Sequence, residues 1–332
     1  MMLEWISKRF IKKDLLSVKV VTKVMDEDPV MIPEDKYFRS MIIDIVDACN
    51  LSCPTCPRGA GEIKSTSRIM DLKMYNEIIK KGMKEGYAHV CLYNWTEPFI
   101  NKNLFDYVKI AKEANMSVWL SSNLALHDIP HLHRTLAAGV DVLVISMSGS
   151  NSEVHEINHV GGGWVFKNMK ILAEVIKYND VSTKVYVQFL KFPYNHSCES
   201  ILKEMVTSMG FDFSVVPGEG DPFSNIQPWH HCDQFASKYD KEVLFRKEVC
   251  SLMINHVPID SSGNVYLCCA RPNTETYLIG NYLDLDFGLL RTMRSMHSAC
   301  TTCRMNRLPM SHELYENMVL HSGEVNNKID VK

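Results

Sequence analysis

The sequence predicts an α/β fold, a partial (β/α)6 barrel of TIM-like design followed by a small C-terminal domain, and three observations predict it. From residue 41 onward, short β-rich apolar runs alternate with amphipathic stretches of helical period, the pattern of repeated βα units around a parallel sheet. Six such runs precede residue 218. Beyond it the alternation gives way to the Pro and Gly punctuation of VVPGEGDPFSNIQPWHHC, and the remaining residues hold six of the eleven cysteines.

In chain order the expected strands are Met41 to Val46, His89 to Tyr93, Ser117 to Leu120, Asp141 to Ser146, Lys184 to Leu190 and Phe213 to Val216. Between them, Asp71 is placed to cap a helix that begins at Leu72, and Leu104, Val108 and Ala111 recur at helical spacing. Gly86 and Gly139 close helices before the next strand. Helical crossovers between parallel strands put functional groups at the C-terminal ends of the strands and in the loops that follow. The expected organisation is an extension over residues 1–40, the barrel over 41–218 and a second domain over 219–332. In that last part a short strand runs from Asn264 to Leu267, and metal rather than apolar burial is expected to organise the rest.

With 332 residues and 46% hydrophobic content the chain is long enough to bury a sizeable core. A formal charge of -3 gives no positive field for nucleic acid or an anionic membrane surface, so a small-molecule substrate is expected, with no nucleic acid and no membrane partner. The opening MMLEWISKRFIKKDLL mixes charges into its apolar residues, and no stretch has the uninterrupted apolar length of a membrane span or a secretory core. A cytoplasmic location is expected, and in a reducing compartment the eleven cysteines read as metal ligands or reactive thiols rather than disulfides.

Their spacing is then informative. DACNLSCPTCPRG places Cys49, Cys53 and Cys56 as C-x3-C-x2-C directly after the first expected strand. Three close thiolates in one loop suit an iron-sulfur cubane and leave one of its four irons without a protein ligand. A structural zinc site normally takes four ligands, and no fourth stands nearby. In this loop, with Asn50 and Pro54 around it, the sequence resembles the radical S-adenosylmethionine (SAM) superfamily over roughly residues 41–305. There the open iron chelates the amino and carboxylate groups of SAM. Thr55 stands where the family usually has an aromatic residue near adenine.

The resemblance extends along the barrel. Asn94-Trp95-Thr96-Glu97-Pro98 looks like the family's Gly-Gly-Glu-Pro motif, with Thr96 in place of the usual Gly, and implies that Glu97 accepts a hydrogen bond from the SAM ammonium. Ser121, Ser122 and Asn123 follow the third strand and Ser146 and Ser148 end the fourth, where the family holds the ribose and carboxylate of SAM. Each of these polar residues alone is more often a cap or turn former.

Cys250, Gly263 and Cys268 follow the pattern C-x12-G-x4-C, and Cys300 and Cys303 form C-x2-C. Four thiolates can complete a second cubane or hold a zinc ion. The set resembles the twitch domain, the shortened form of the SPASM auxiliary domain. The resemblance thus implies two [4Fe-4S] clusters, SAM, and an electron donor such as flavodoxin or ferredoxin. Cys269 stands beside a ligand as a candidate hydrogen donor, whereas Cys91 in a strand, Cys198 and Cys232 read as small buried hydrophobes. His230, His231, Cys232 and Asp233 read as an interdomain loop.

The implied reaction is reductive cleavage of SAM to a 5'-deoxyadenosyl radical that abstracts hydrogen from a substrate carbon. Dehydrogenation, with the second cluster accepting an electron, is the leading outcome, on a carbohydrate, aminocyclitol or nucleoside. Epimerisation through Cys269, radical decarboxylation and ribosomal-peptide maturation are the alternatives, and a non-catalytic electron carrier is the rival of another class.

Overall fold

The computed structural model describes residues 39–179, 181–218, 222–223, 252, 255–295, 297 and 299. Each expected strand forms: β1 (Ser40–Ile43), β2 (His89–Cys91), β3 (Ser117–Ser122), β4 (Val142–Met147), β5 (Lys184–Lys191) and β6 (Asp212–Pro217). Helices α1 (Leu72–Lys84), α2 (Leu104–Glu113), α3 (Leu132–Ala137), α4 (Ser152–His155), α5 (Val165–Tyr178) and α6 (Cys198–Ser208) connect them. All five neighbouring pairs from β1 to β6 are parallel, and strands adjacent in sequence are adjacent in the sheet.

Local chemistry sets the connections. The Asp71 carboxylate caps α1 by accepting from the N–H of Lys73 at 2.9 Å and of Met74 at 3.2 Å. That helix buries Tyr75, Ile78 and Ile79, each isoleucine contributing about 1.5–3 kcal/mol by leaving water. Gly82 lets Met41 of β1 approach, since a Cβ there would lie 2.3 Å from the Met41 sulfur. On α2, Leu104, Val108 and Ala111 are buried as their spacing requires, and Gly86 and Gly139 take φ values of +82° and +109° after helices.

Strands β3 to β5 have two unlike faces. Val118, Leu120, Leu143, Ile145, Val187 and Phe189 are buried in the core, while the alternate residues Trp119, Ser121, Val144, Ser146, Tyr186 and Gln188 are half-buried. Parallel register aligns Ser146, Gln188 and Ser214 in one row across β4, β5 and β6.

Two findings differ from the sequence reading. Strands β1 and β2 end at Ile43 and Cys91 rather than Val46 and Tyr93; the Asp44 carboxylate gathers donors from the loop after β2, and Val46 makes only an isolated bridge with Ile69. Past residue 218, β7 (His256–Ile259) lies parallel to β1, and β8 (Asn264–Tyr266) and β9 (Leu278–Asn281) follow antiparallel. One sheet of order β6-β5-β4-β3-β2-β1-β7-β8-β9 results, so the segment begins by extending the barrel's own sheet. Helix α7 (Phe287–Ser295) follows, and its buried Arg294 donates to the carbonyls of Leu267 at 2.8 Å and His256 at 2.7 Å.

Candidate functional site

The loop after β1 carries Cys49, Cys53 and Cys56 as half-buried free thiols. It coils tightly, with the Cys56 N–H donating to the Cys53 carbonyl at 3.1 Å and the Ala60 N–H to the Cys56 carbonyl at 2.8 Å. Gly59 belongs to that coil because a Cβ there would sit 2.1 Å from the Cys53 carbonyl oxygen. Arg58 fixes the loop from one side, donating to the Trp95 carbonyl at 2.7 Å and pairing with Asp47 at 2.6 Å.

Burial pushes the Cys49 thiol up to about 12, with the charge of Glu97 adding to it. Cys53 is raised by burial and then by Cys56 and Cys49; Cys56 is raised by burial against the N–H groups of Gly59 and Arg58. Three thiols whose ionisation burial opposes are a soft donor set suited to a cationic metal centre, whose charge reverses that balance. The chemistry of the donors therefore fits a cluster.

The segment after β2 is held by a carboxylate that sequence reasoning missed. Asp44, nearly fully buried, accepts from the N–H of Asn94 at 2.8 Å, the N–H of Trp95 at 3.2 Å and the Thr96 hydroxyl at 2.6 Å. An Asp inside the apolar run MIIDIV was its only signal. Thr96, where the resemblance expects Gly, is thus a partner of Asp44.

Glu97 is buried and serves as a hub. Its Oε1 accepts from the Ser122 hydroxyl at 2.8 Å and the Phe99 N–H at 3.1 Å, and its Oε2 from the Asn123 N–H at 2.8 Å. Its own N–H donates to the Ala48 carbonyl at 3.0 Å. Burial pushes its carboxyl up to about 7 despite those hydrogen bonds. The Asn123 side chain donates to Asn50 Oδ1 at 3.0 Å and to the Cys49 sulfur at 3.7 Å. The structure thus brings Cys49, Glu97, Ser122 and Asn123 together. Ser146 stands apart on the half-buried face with Gln188, a neighbour that sequence reasoning passed over.

Of the second cysteine set, Cys250, Cys300 and Cys303 lie outside the described residues, as do Cys232 and the His230–His231 pair. Cys268 and Cys269 follow β8. The Cys268 sulfur accepts the Ala270 N–H at 3.3 Å, and the Cys269 thiol is held well above its ordinary value by a hydrogen bond with Cys268 and by burial. Their loop meets the segment after β2: Trp95 Nε1 donates to the Arg271 carbonyl at 3.2 Å, and the Asn94 amide, oriented to satisfy its neighbours, donates to the Cys269 carbonyl at 3.1 Å.

Residues 43–196 match the family model described as the Radical SAM superfamily. That segment, a little under half of the chain, is similar to the domain the family model describes. A curated relative, the AdoMet-dependent heme synthase of Methanosarcina barkeri (strain Fusaro / DSM 804), is 26% identical over 195 residues, 56% of this chain and 53% of that protein. The match thus spans about half of that relative's length. Among solved structures, SuiB of Streptococcus suis bound to S-adenosylmethionine superposes with a TM-score of 0.57 at 16% identity, covering 81% of this chain and 71% of that one. The anSMEcpe protein with bound AdoMet gives 0.54 at 16%, covering 81% and 87%. At these identities the likeness is one of fold alone. Among the described residues no helix is long and apolar enough to cross a membrane.

Proposed function

We propose that this chain is a cytoplasmic radical SAM oxidoreductase. It binds SAM at a [4Fe-4S] cluster held by Cys49, Cys53 and Cys56, and dehydrogenates a carbohydrate, aminocyclitol or nucleoside. When bound, such a cluster supplies the electron that cleaves SAM and so initiates hydrogen removal from the substrate.

One observation carries the reading: the Glu97 carboxylate and the Asn123 amide, from the loops after β2 and β3, converge with each other beside Cys49. A carboxylate has about four acceptor positions, and protein donors use three on Glu97, which leaves one for the SAM ammonium. The aligned row of Ser146, Gln188 and Ser214 supplies hydrogen-bonding groups suited to a hydroxyl-rich substrate.

Cys268, with Cys250, Cys300 and Cys303, is assigned to a second [4Fe-4S] cluster that accepts the substrate's electron. A fully ligated cluster suits an electron acceptor, which favours this outcome over epimerisation.

The test is anaerobic reconstitution. The parent chain is expected to hold about eight irons and, reduced with dithionite, to convert SAM to methionine and 5'-deoxyadenosine. Replacing Cys49, Cys53 and Cys56 by Ala should remove about half the iron and all SAM cleavage. Stoichiometric zinc without iron would sink the reading, and solvent deuterium on product carbon, lost in Cys269→Ala, would turn it to epimerisation.

A further inference from the structure

Between Cys53 and Cys56, Thr55 makes a long-range contact within the protein. Its hydroxyl donates to Asn158 Oδ1 at 2.7 Å, across 103 residues of sequence. Asn158 is only 1% exposed. It lies just past α4, between two fully or almost fully buried histidines whose rings stack at a centroid distance of 4.4 Å and an angle of 3°.

This segment is clamped from the end of β4. The Ser148 hydroxyl donates to the His155 carbonyl at 3.0 Å and lies 2.7 Å from His159 Nδ1, while the Ser148 N–H donates to His155 Nδ1 at 3.2 Å. Asn195, past the end of β5, donates to the Ser148 carbonyl at 2.9 Å. Two glycines leave no slack: a Cβ on Gly149 would lie 2.3 Å from the His155 nitrogen, and one on Gly162 would lie 2.6 Å from the His159 carbonyl oxygen. Buried, hydrogen-bonded and closely packed groups have few alternative positions. The segment is therefore a rigid brace that makes a polar contact with the cysteine loop between two of its three thiols.

We propose that Asn158 is a positioning residue that, through Thr55, fixes the approach of Cys53 and Cys56 to the iron. The proposal rests on the reading of that loop as a cluster site. Its effect is on how firmly the loop holds the metal.

The experiment compares how fast a ferrous chelator strips iron from anaerobically reconstituted parent protein and variants. Thr55→Val removes the hydroxyl at nearly constant shape, Thr55→Ser keeps it, and Asn158→Ala removes the acceptor. Thr183→Val breaks a comparable buried bond, 2.8 Å to the Val140 carbonyl, at the far end of β4 and β5. Loss of one such bond should speed iron release about two- to tenfold in Thr55→Val and Asn158→Ala. Thr55→Ser and Thr183→Val should match the parent. The double variant should be no faster than either single one, since both remove the same bond. Parent-like release from Thr55→Val and Asn158→Ala, equal acceleration in Thr183→Val, or additive effects would overturn the positioning role. A parent protein that takes up no iron would instead remove the cluster reading, and this proposal with it.

Discussion

Asp44 takes three donors into one buried carboxylate, and its carboxyl is nonetheless pushed up to about 6 from an ordinary 3.8. Burial outweighs the hydrogen bonds from Thr96, Trp95 and Asn94 and the charge of Arg58. Between those two values the folded chain binds more protons than the unfolded one. Asp44's contribution to stability is therefore fully present below about pH 4 and is lost as the pH rises through 6. Asp44→Asn removes that dependence. Urea unfolding of metal-free protein should show the variant gaining on the parent by about 1 kcal/mol between pH 5 and pH 7.5. A difference that stays constant with pH would refute the assignment. The buried histidines titrate in both proteins and cancel in the comparison. None of this was legible locally: the partners of Asp44 lie about fifty residues along the chain and those of Asn158 about a hundred, and side-chain periodicity reports only on neighbours.

The cysteine loop was legible as an element, because C-x3-C-x2-C is a local pattern and its chemistry follows from residue type. Its shape was not. Gly59 reads in sequence as ordinary turn punctuation, yet the space it leaves is filled by the backbone of Cys53. Gly61 is the opposite case, with φ at +84° and nothing within 4 Å of where a Cβ would stand. Gly59→Ala must therefore displace Cys53, whereas Gly61→Ala meets only backbone strain of about 1 kcal/mol. Anaerobic reconstitution should load Gly61→Ala like the parent and leave Gly59→Ala depleted of the iron proposed for Cys49, Cys53 and Cys56, with unchanged far-ultraviolet circular dichroism in both. Full loading of Gly59→Ala would show that the loop tolerates the shift. The same contrast explains the strands: alternating burial made β3 to β5 readable, while the short β1 and β2 end where Asp44 pulls the backbone into a polar turn.

Across the whole molecule, β1 is an interior strand, flanked by β2 and β7. Sequence reasoning placed a boundary at residue 218 on the Pro and Gly punctuation there, and β7 escaped it because that strand is four residues long and its pairing is entirely non-local. A chain ending at residue 218 would expose the β1 edge, whose N–H and C=O groups then seek another strand. Such a truncation should aggregate, and a monomeric product with a cooperative thermal transition would contradict this role for β7. Size-exclusion chromatography with thermal melting decides it. Ser40 and His256, which meet in register and through a hydrogen bond of 2.5 Å, are 216 residues apart. At a synthesis rate of about 5–20 residues per second, the ribosome takes roughly 10–45 s to deliver the second after the first. During that interval the strand leading into the cysteine loop has no partner on one side. The three thiols of Cys49, Cys53 and Cys56 therefore spend that interval in a loop borne by a strand that is open along one edge.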